Sequence, residues 1–259
     1  MIRLPQVHEE DEYRILRETA SAYAARELAP QAEQLDLDPA SGRVQEALSK
    51  AGEMGMLAAL VPEEYGGGGL DDYAFCVALE EIAVEEAGVA TALLVHNAAL
   101  LPPALDRSGE VAALVEPDAC PACLAFPGDL TLSGGRVSGR APFAFNAPEC
   151  PLVTVLLSGG DGTQAATVQG GAEGVEVVAE PYQMGLRAAR AGAVRFRDAV
   201  PSNTVSREEV REAVERMLLL GLAAIATGIA RKALDKAYAY ARERYQAGKM
   251  IIEHQQMRM

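Results

Sequence analysis

From Ser206 to Gln246 the sequence holds no proline, and helix-forming Ala, Leu, Glu, Arg and Lys dominate it. The stretch predicts a single helix, which at about 1.5 Å per residue would be roughly 60 Å long. Ser206 followed by Glu209 has the form of a capping box that would open it. No helix of that length buries its own apolar stripe, so the element demands neighbours. Its middle, Ala223-Ala224-Ile225-Ala226-Thr227-Gly228, is rich in small side chains that let another helix come close. Whatever fold this chain takes has to shelter that helix, and a homo- or hetero-oligomer through the 206–259 helices is expected.

Upstream, residues 10 to 29 have helical composition, and Pro30 is expected to close that segment. A second helix is predicted over Ser41 to Met56. Pro62-Glu63-Glu64-Tyr65 leads into Gly66-Gly67-Gly68-Gly69, a loop that no regular element could contain. Asp71 and Asp72 put carboxylates at the positive end of the next helix, where Phe75, Leu79 and Ile82 recur at helical spacing. Gly88 is expected to stop it, and Pro102-Pro103 to break the apolar helix that follows.

The composition changes after Pro117. Cys120 to Pro201 is rich in Gly, Val and Thr in short alternating runs. Thr131 to Val137 predicts a hairpin around Gly134-Gly135, and Leu152 to Leu157 a buried strand. Gly159-Gly160-Asp161-Gly162 would turn that strand back toward Ala165 to Val168, with Val175 to Val178 and Ala193 to Phe196 completing about six to seven strands. A small antiparallel β-barrel or sandwich closes such a set naturally. The expected class is multidomain α and β. It has an N-terminal α-helical domain over 1–118, a β domain over 119–204, and over 205–259 the start of a C-terminal helical bundle, one long helix and the beginning of a second.

Composition narrows the function. The 23 Lys and Arg against 37 Asp and Glu leave a formal charge of −14, which argues against nucleic acid and against an anionic membrane surface. The longest uncharged apolar run, Met217 to Ala230, is shorter than the about 20 residues that span a bilayer. Met1-Ile2-Arg3-Leu4-Pro5 lacks the form of a secretion signal, and four cysteines in a chain of 259 residues make no disulfide framework, so a cytoplasmic location is expected.

Several motifs, in order, resemble the acyl-CoA dehydrogenase family. Pro62 to Asp71 looks like its P-E-E-Y-G-G-x-G-L-D loop, and Met184-Gly185-Leu186-Arg187 resembles its M-G-I-R turn. Arg195 to Pro201 stands in place of V-F-E-D-V-x-V-P. Ala233 to Ala237, Arg242-Glu243-Arg244, Gly248-Lys249 and Glu253-His254-Gln255 match the region around R-x-x-F-G-K. The resemblance implies an FAD enzyme that dehydrogenates an acyl-CoA thioester between its α and β carbons. In it a Glu removes the α proton, the flavin takes the β hydride, and an electron-transferring flavoprotein accepts the electrons. It also implies an oligomer with FAD held across a subunit boundary.

Carried over residue by residue, the flavin positions fall on Ala125, Phe143, Phe145, Arg244 and Gln246. The family's T-E-P-x-x-G-S-D segment reads Ala125-Phe126-Pro127-Gly128-Asp129-Leu130, and its N-G-x-K-x-W-I-T-N segment aligns with Ser138 to Asn146. Phe143 thus stands where the family's flavin-packing Trp sits; an aromatic ring can still stack there. Phe145 replaces a hydroxyl that bonds the flavin. Arg244 is the counterpart of an Arg that reaches a neighbouring subunit's FAD pyrophosphate; its bland alternative is a solvated cation beside Glu243. No catalytic residue is assigned. In some branches the base lies ten residues before the position of Gly228, which is Leu218 here, while Glu215, one turn earlier, reads as a partner of Arg211 at i−4.

The other candidates have structural readings. Cys120-Pro121-Ala122-Cys123 lacks a second ligand pair for a metal, so its thiols are expected at a strand edge and in the core. His96 lies in an apolar helix and is expected to be a hydrogen-bonded core residue; His8 and His254 are isolated. Two functions are therefore expected. The first is an acyl-CoA dehydrogenase-like protein whose base and bundle helices come from a partner chain or a further C-terminal part. The alternative is a non-catalytic structural or regulatory subunit that does not bind FAD.

Overall fold

The computed structural model describes residues 11–106, 109–126, 128–157, 164–179 and 183–257. His8 and the turn at Gly159 to Gly162 lie outside them. Helices come first: α1 (Asp11–Tyr23), α2 (Ala32–Leu37), α3 (Arg43–Glu53), α4 (Asp72–Glu85) and α5 (Ala87–Leu105). Strands β1 (Cys123–Phe126) through β8 (Asn203–Val205) form the middle, and α6 (Glu208–Glu243) follows.

The helical layer is built around α5, which is apolar on every side and buried along nearly its whole length. Pro30 does not close the first segment. The chain passes through a π turn, Ala24–Leu28, and a 3-10 turn, Ala29–Gln31, into α2, since a proline in the first turn of a new helix lacks only an N–H with no helical partner. Nor does Gly88 end α4. The break falls at Glu86, whose carboxylate accepts from the Val89 N–H and caps α5. Gly88 lies in the first turn of α5, where the missing side chain makes room for Ala188: a Cβ there would sit 2.9 Å from its methyl carbon. Pro102 and Pro103 do not break α5 either; they occupy its last turn. Pro103 has no N–H for the Ala99 carbonyl, and that carbonyl instead accepts the Thr154 hydroxyl of β4 at 2.7 Å.

The other strands are β2 (Asp129–Ser133), β3 (Arg136–Phe145), β4 (Leu152–Leu156), β5 (Ala165–Gln169), β6 (Val175–Ala179) and β7 (Gly192–Ala199). They make one sheet in the order β6-β7-β3-β1-β4-β5-β8, with β2 also on β3. The sheet is mixed rather than wholly antiparallel: β1 and β4 run parallel, with Cys123 opposite Val153. Gly134 and Gly135, at φ 56° and 73°, make the tight turn between β2 and β3 as expected. One face of the sheet, through Leu124, Leu152, Leu156 and Val205, joins the helical core. The other curls round a core of its own that includes Ala125, Val137, Val155, Val168 and Phe196.

α6 lies across α4 and α5. Its small residues permit this as the sequence indicated: a Cβ on Gly228 would meet the Glu80 carbonyl oxygen at 2.4 Å, and one on Gly221 the Leu94 side chain at 2.4 Å. Arg231 bridges Glu80 and Glu81, and Lys232 holds Glu85. Ser206 and Glu209 form no capping box. Arg207 is the N-cap, and its guanidinium donates to the Leu105 carbonyl, holding the start of α6 against the end of α5. The helix also stops three residues early, at Glu243, where a hairpin of β9 (Tyr245–Gln246) and β10 (Lys249–Met250) takes over. Ala247 and Gly248, both at positive φ, supply its turn. Only one face of α6 is covered; Leu219, Ile229 and Leu234 are 72%, 45% and 52% exposed.

Candidate functional site

Antiparallel pairing of β1 with β3 sets Phe126 opposite Phe143, Ala125 opposite Ala144 and Leu124 opposite Phe145. Alternation along the strands then puts Phe126, Phe143 and Phe145 on one face and Ala125 on the other. The three rings form a cluster. Phe143 and Phe145 meet edge to face with centroids 4.9 Å apart, and Phe126 lies 5.9 Å from Phe143. Phe126 and Phe145 lean on the helical core, while Phe143 stays 45% exposed at the rim. Gly128 allows the chain to turn from β1 into β2 here, since a Cβ would sit 2.3 Å from the Arg140 carbonyl oxygen. The result is a partly open aromatic platform.

The sequence-assigned residues therefore separate. Phe143 and Phe145 come together, and Phe126 joins them, a member that the assignment left out and that the pairing register would have revealed. The Ala125 methyl is fully buried in the inner core of the sheet, so only its backbone can reach the platform. Arg244 and Gln246 stand on the exposed hairpin after α6. There the Arg244 carbonyl accepts from Ile251 at 3.0 Å and the Gln246 carbonyl pairs with His254 Nε2 at 3.1 Å. The Arg244 guanidinium has no ion-pair partner among the described residues, so it is available to a ligand or a second chain.

The positions compared for a base are occupied otherwise. Leu218 is buried, and Glu215 accepts from Arg211 Nε at 2.8 Å, the i, i+4 pair expected from sequence. His96 is a core residue. Its Nδ1 accepts the Ala122 N–H at 2.8 Å, so Nε2 carries the proton toward the Leu114 carbonyl at 3.2 Å. Complete burial pulls its pKa down to about 4, and it is neutral near pH 7. Of the CxxC cysteines, Cys120 is exposed and Cys123 buried.

The chain matches two family models, the acyl-CoA dehydrogenase N-terminal domain over residues 10–112 and the acyl-CoA dehydrogenase C-terminal domain over 213–259. It is 31% identical to benzylmalonyl-CoA dehydrogenase of Aromatoleum aromaticum, an alignment covering 96% of this chain and 73% of that protein. It is 30% identical to cyclohex-1-ene-1-carbonyl-CoA dehydrogenase of Syntrophus aciditrophicus over 93% of this chain, and spans 65% of that relative's length. Among solved structures, butyryl-CoA dehydrogenase from Megasphaera elsdenii superposes with a TM-score of 0.81 at 22% identity, covering 98% of this chain and 74% of that one. An acyl-CoA dehydrogenase from Bacillus anthracis complexed with FAD gives 0.84 at 22% identity, covering 96% and 48%. At those identities the structures speak for the fold.

Proposed function

The chain belongs to the acyl-CoA dehydrogenase family, and from that premise we infer that it takes part in FAD-dependent α,β-dehydrogenation of an acyl-CoA thioester. The observation that carries the reading is the aromatic platform, with Phe143 exposed where a planar ring can lie. The residues fit the stacking half of a flavin site. Phe143 would hold one face of the isoalloxazine, Phe126 and Phe145 would set the tilt of Phe143, and the backbone at Ala125 would edge it. Arg244 would serve a pyrophosphate bound to a second copy, as a guanidinium free of other partners suits a phosphate. When bound, FAD accepts the hydride from the substrate β carbon. The protein's own part is to stack, to exclude water and to fix orientation.

The proton from the α carbon needs a carboxylate, and neither Leu218 nor the ion-paired Glu215 provides one. We assign it to a further C-terminal part or a partner chain, whose helices would also cover the bare face of α6. An electron-transferring flavoprotein is the corresponding electron acceptor. One observation favours the alternative of a non-catalytic subunit: Phe145 offers no hydroxyl where the resemblance calls for one.

Gel filtration of the purified chain with added FAD separates the two. Flavin absorbance should travel with the protein, and Phe143→Ala should weaken FAD binding roughly tenfold. A colourless protein peak would leave the non-catalytic reading standing.

A further inference from the structure

Where the connection from α2 to α3 meets the approach to β1, helices and sheet enclose a cavity of about 160 Å³ that no residue of the aromatic platform lines. Two side-chain amides help to wall it, and both have spent their NH2 groups on the backbone. Asn146, only 4% exposed, donates through Nδ2 to the Ala92 and Ala122 carbonyls at 2.9 and 3.2 Å. Gln45 Nε2 donates to the Ala119 and Asp118 carbonyls at 3.1 and 3.4 Å. Those bonds fix which way each amide points, and neither Asn146 Oδ1 nor Gln45 Oε1 has a partner among the described residues. What the two amides have left to offer the cavity is their oxygens. The same wall offers donors. α3 starts at Arg43 behind Gly42, which has no side chain to cap it, so the N–H groups of Arg43, Val44 and Gln45 lack a backbone or capping partner among the described residues. Arg190, also in the wall, is ion-paired to Glu149 at 3.2 Å. The wall is preformed. Asn146, Glu149 and Arg190 hold positive φ of 54°, 61° and 40°, and the Asn146 and Ala147 N–H groups pin the turn by donating to the Ala189 and Arg190 carbonyls at 2.7 and 3.2 Å.

We propose that this cavity binds a small free α-amino acid, its carboxylate on the α3 N-terminus and its ammonium on the oxygens of Asn146 and Gln45. The choice follows from what each simpler ligand would leave undone. A lone anion would satisfy the N–H groups of Arg43, Val44 and Gln45 and leave two amide oxygens empty. A lone cation would satisfy the oxygens and meet the positive end of a helix. A zwitterion serves both sets. The two sets are also close enough for one small molecule, because Gln45 belongs to the same turn as the free N–H groups, and a turn rises only about 5.4 Å. The Arg190–Glu149 pair adds a charge of each sign at the wall, the guanidinium for the carboxylate and the Glu149 carboxylate for the ammonium. Size limits the side chain. A cavity near 150 Å³ holds about six non-hydrogen atoms, the number in alanine. Val44 and Leu48, both buried, give its methyl group an apolar wall.

L-Alanine titrated into the purified chain in a calorimeter should bind at one site with a dissociation constant of about 1 mM or below. Acetate and methylammonium, each carrying one of the two charged groups, should bind at least about tenfold more weakly. Ala40→Phe fills the space from an exposed position between α2 and α3 and should abolish the heat. Gln45→Met keeps the length of the side chain, removes the acceptor, and should weaken binding about tenfold with an unchanged circular dichroism spectrum. No saturable heat from L-alanine, acetate or methylammonium binding as tightly as L-alanine, or undiminished binding in both variants would overturn the proposal. None of these readings involves flavin, so they stand apart from the use made of the platform.

Discussion

α5 and the middle of α6 are similarly apolar and opposite in use. Each contains an eighteen-residue window apolar enough to cross a membrane by length and composition, yet 94% of the α5 window is buried against 33% of that in α6. α5 spends its apolarity inside the chain, between α4, α6 and the sheet. α6 gives one face to α4 and α5 and leaves Leu219, Ile229 and Leu234 to something else. Hydrophobicity alone does not tell these apart. The small residues do: Gly221 and Gly228 mark the face of α6 that touches its own chain, and Leu219, Ile229 and Leu234 mark the face that does not.

The sharpest way to break this contrast is Gly228→Val. A side chain there collides with the Glu80 backbone rather than with a yielding side chain, and α6 would have to lift from α4. A loss of about 3 kcal/mol or more in urea unfolding is expected. Next comes pH, which acts through α5. The pKa of His96 is lowered in the folded state, so the unfolded chain binds its proton more readily. Its contribution to stability is complete above about pH 6.5 and is lost as pH falls toward about 4, a change of roughly 3 kcal/mol. His96→Asn should flatten that slope over the same interval in denaturation curves.

Thr154→Val removes the donor to the Ala99 carbonyl while keeping the volume, leaving a buried acceptor empty; about 1–3 kcal/mol of stability should go. The smallest effect belongs to the bare face. Leu219→Gln is expected to shift chain stability by no more than about 0.5 kcal/mol, yet to weaken self-association in sedimentation, because it touches only the uncovered side of α6.

Much of this was legible in the sequence because its signals are local. The Gly134-Gly135 turn, the buried strand at Leu152, the Asp71 cap on α4 and the small-residue stripe of α6 each depend on a few neighbouring residues. The errors came where a distant group decided the outcome. Pro102-Pro103 reads as a break until Thr154 arrives from the sheet, and Ser206 reads as a cap until Arg207 bonds to the end of α5. Gly88 reads as a stop until Ala188 is seen pressing on it. The site divides in the same way. Phe143 and Phe145 follow from alternation on one strand, whereas Phe126 needs the pairing register.

The exchange at Ala99 has a consequence for how this protein can change over time. Pro103 withholds a donor from one layer, and Thr154 restores it from the other, so neither residue is optional alone. A lineage that regains an ordinary amide at position 103 releases position 154 from its hydroxyl, and one that gives up the hydroxyl is pressed to replace the imino acid. The two sites, 51 positions apart in the chain, should drift as a pair.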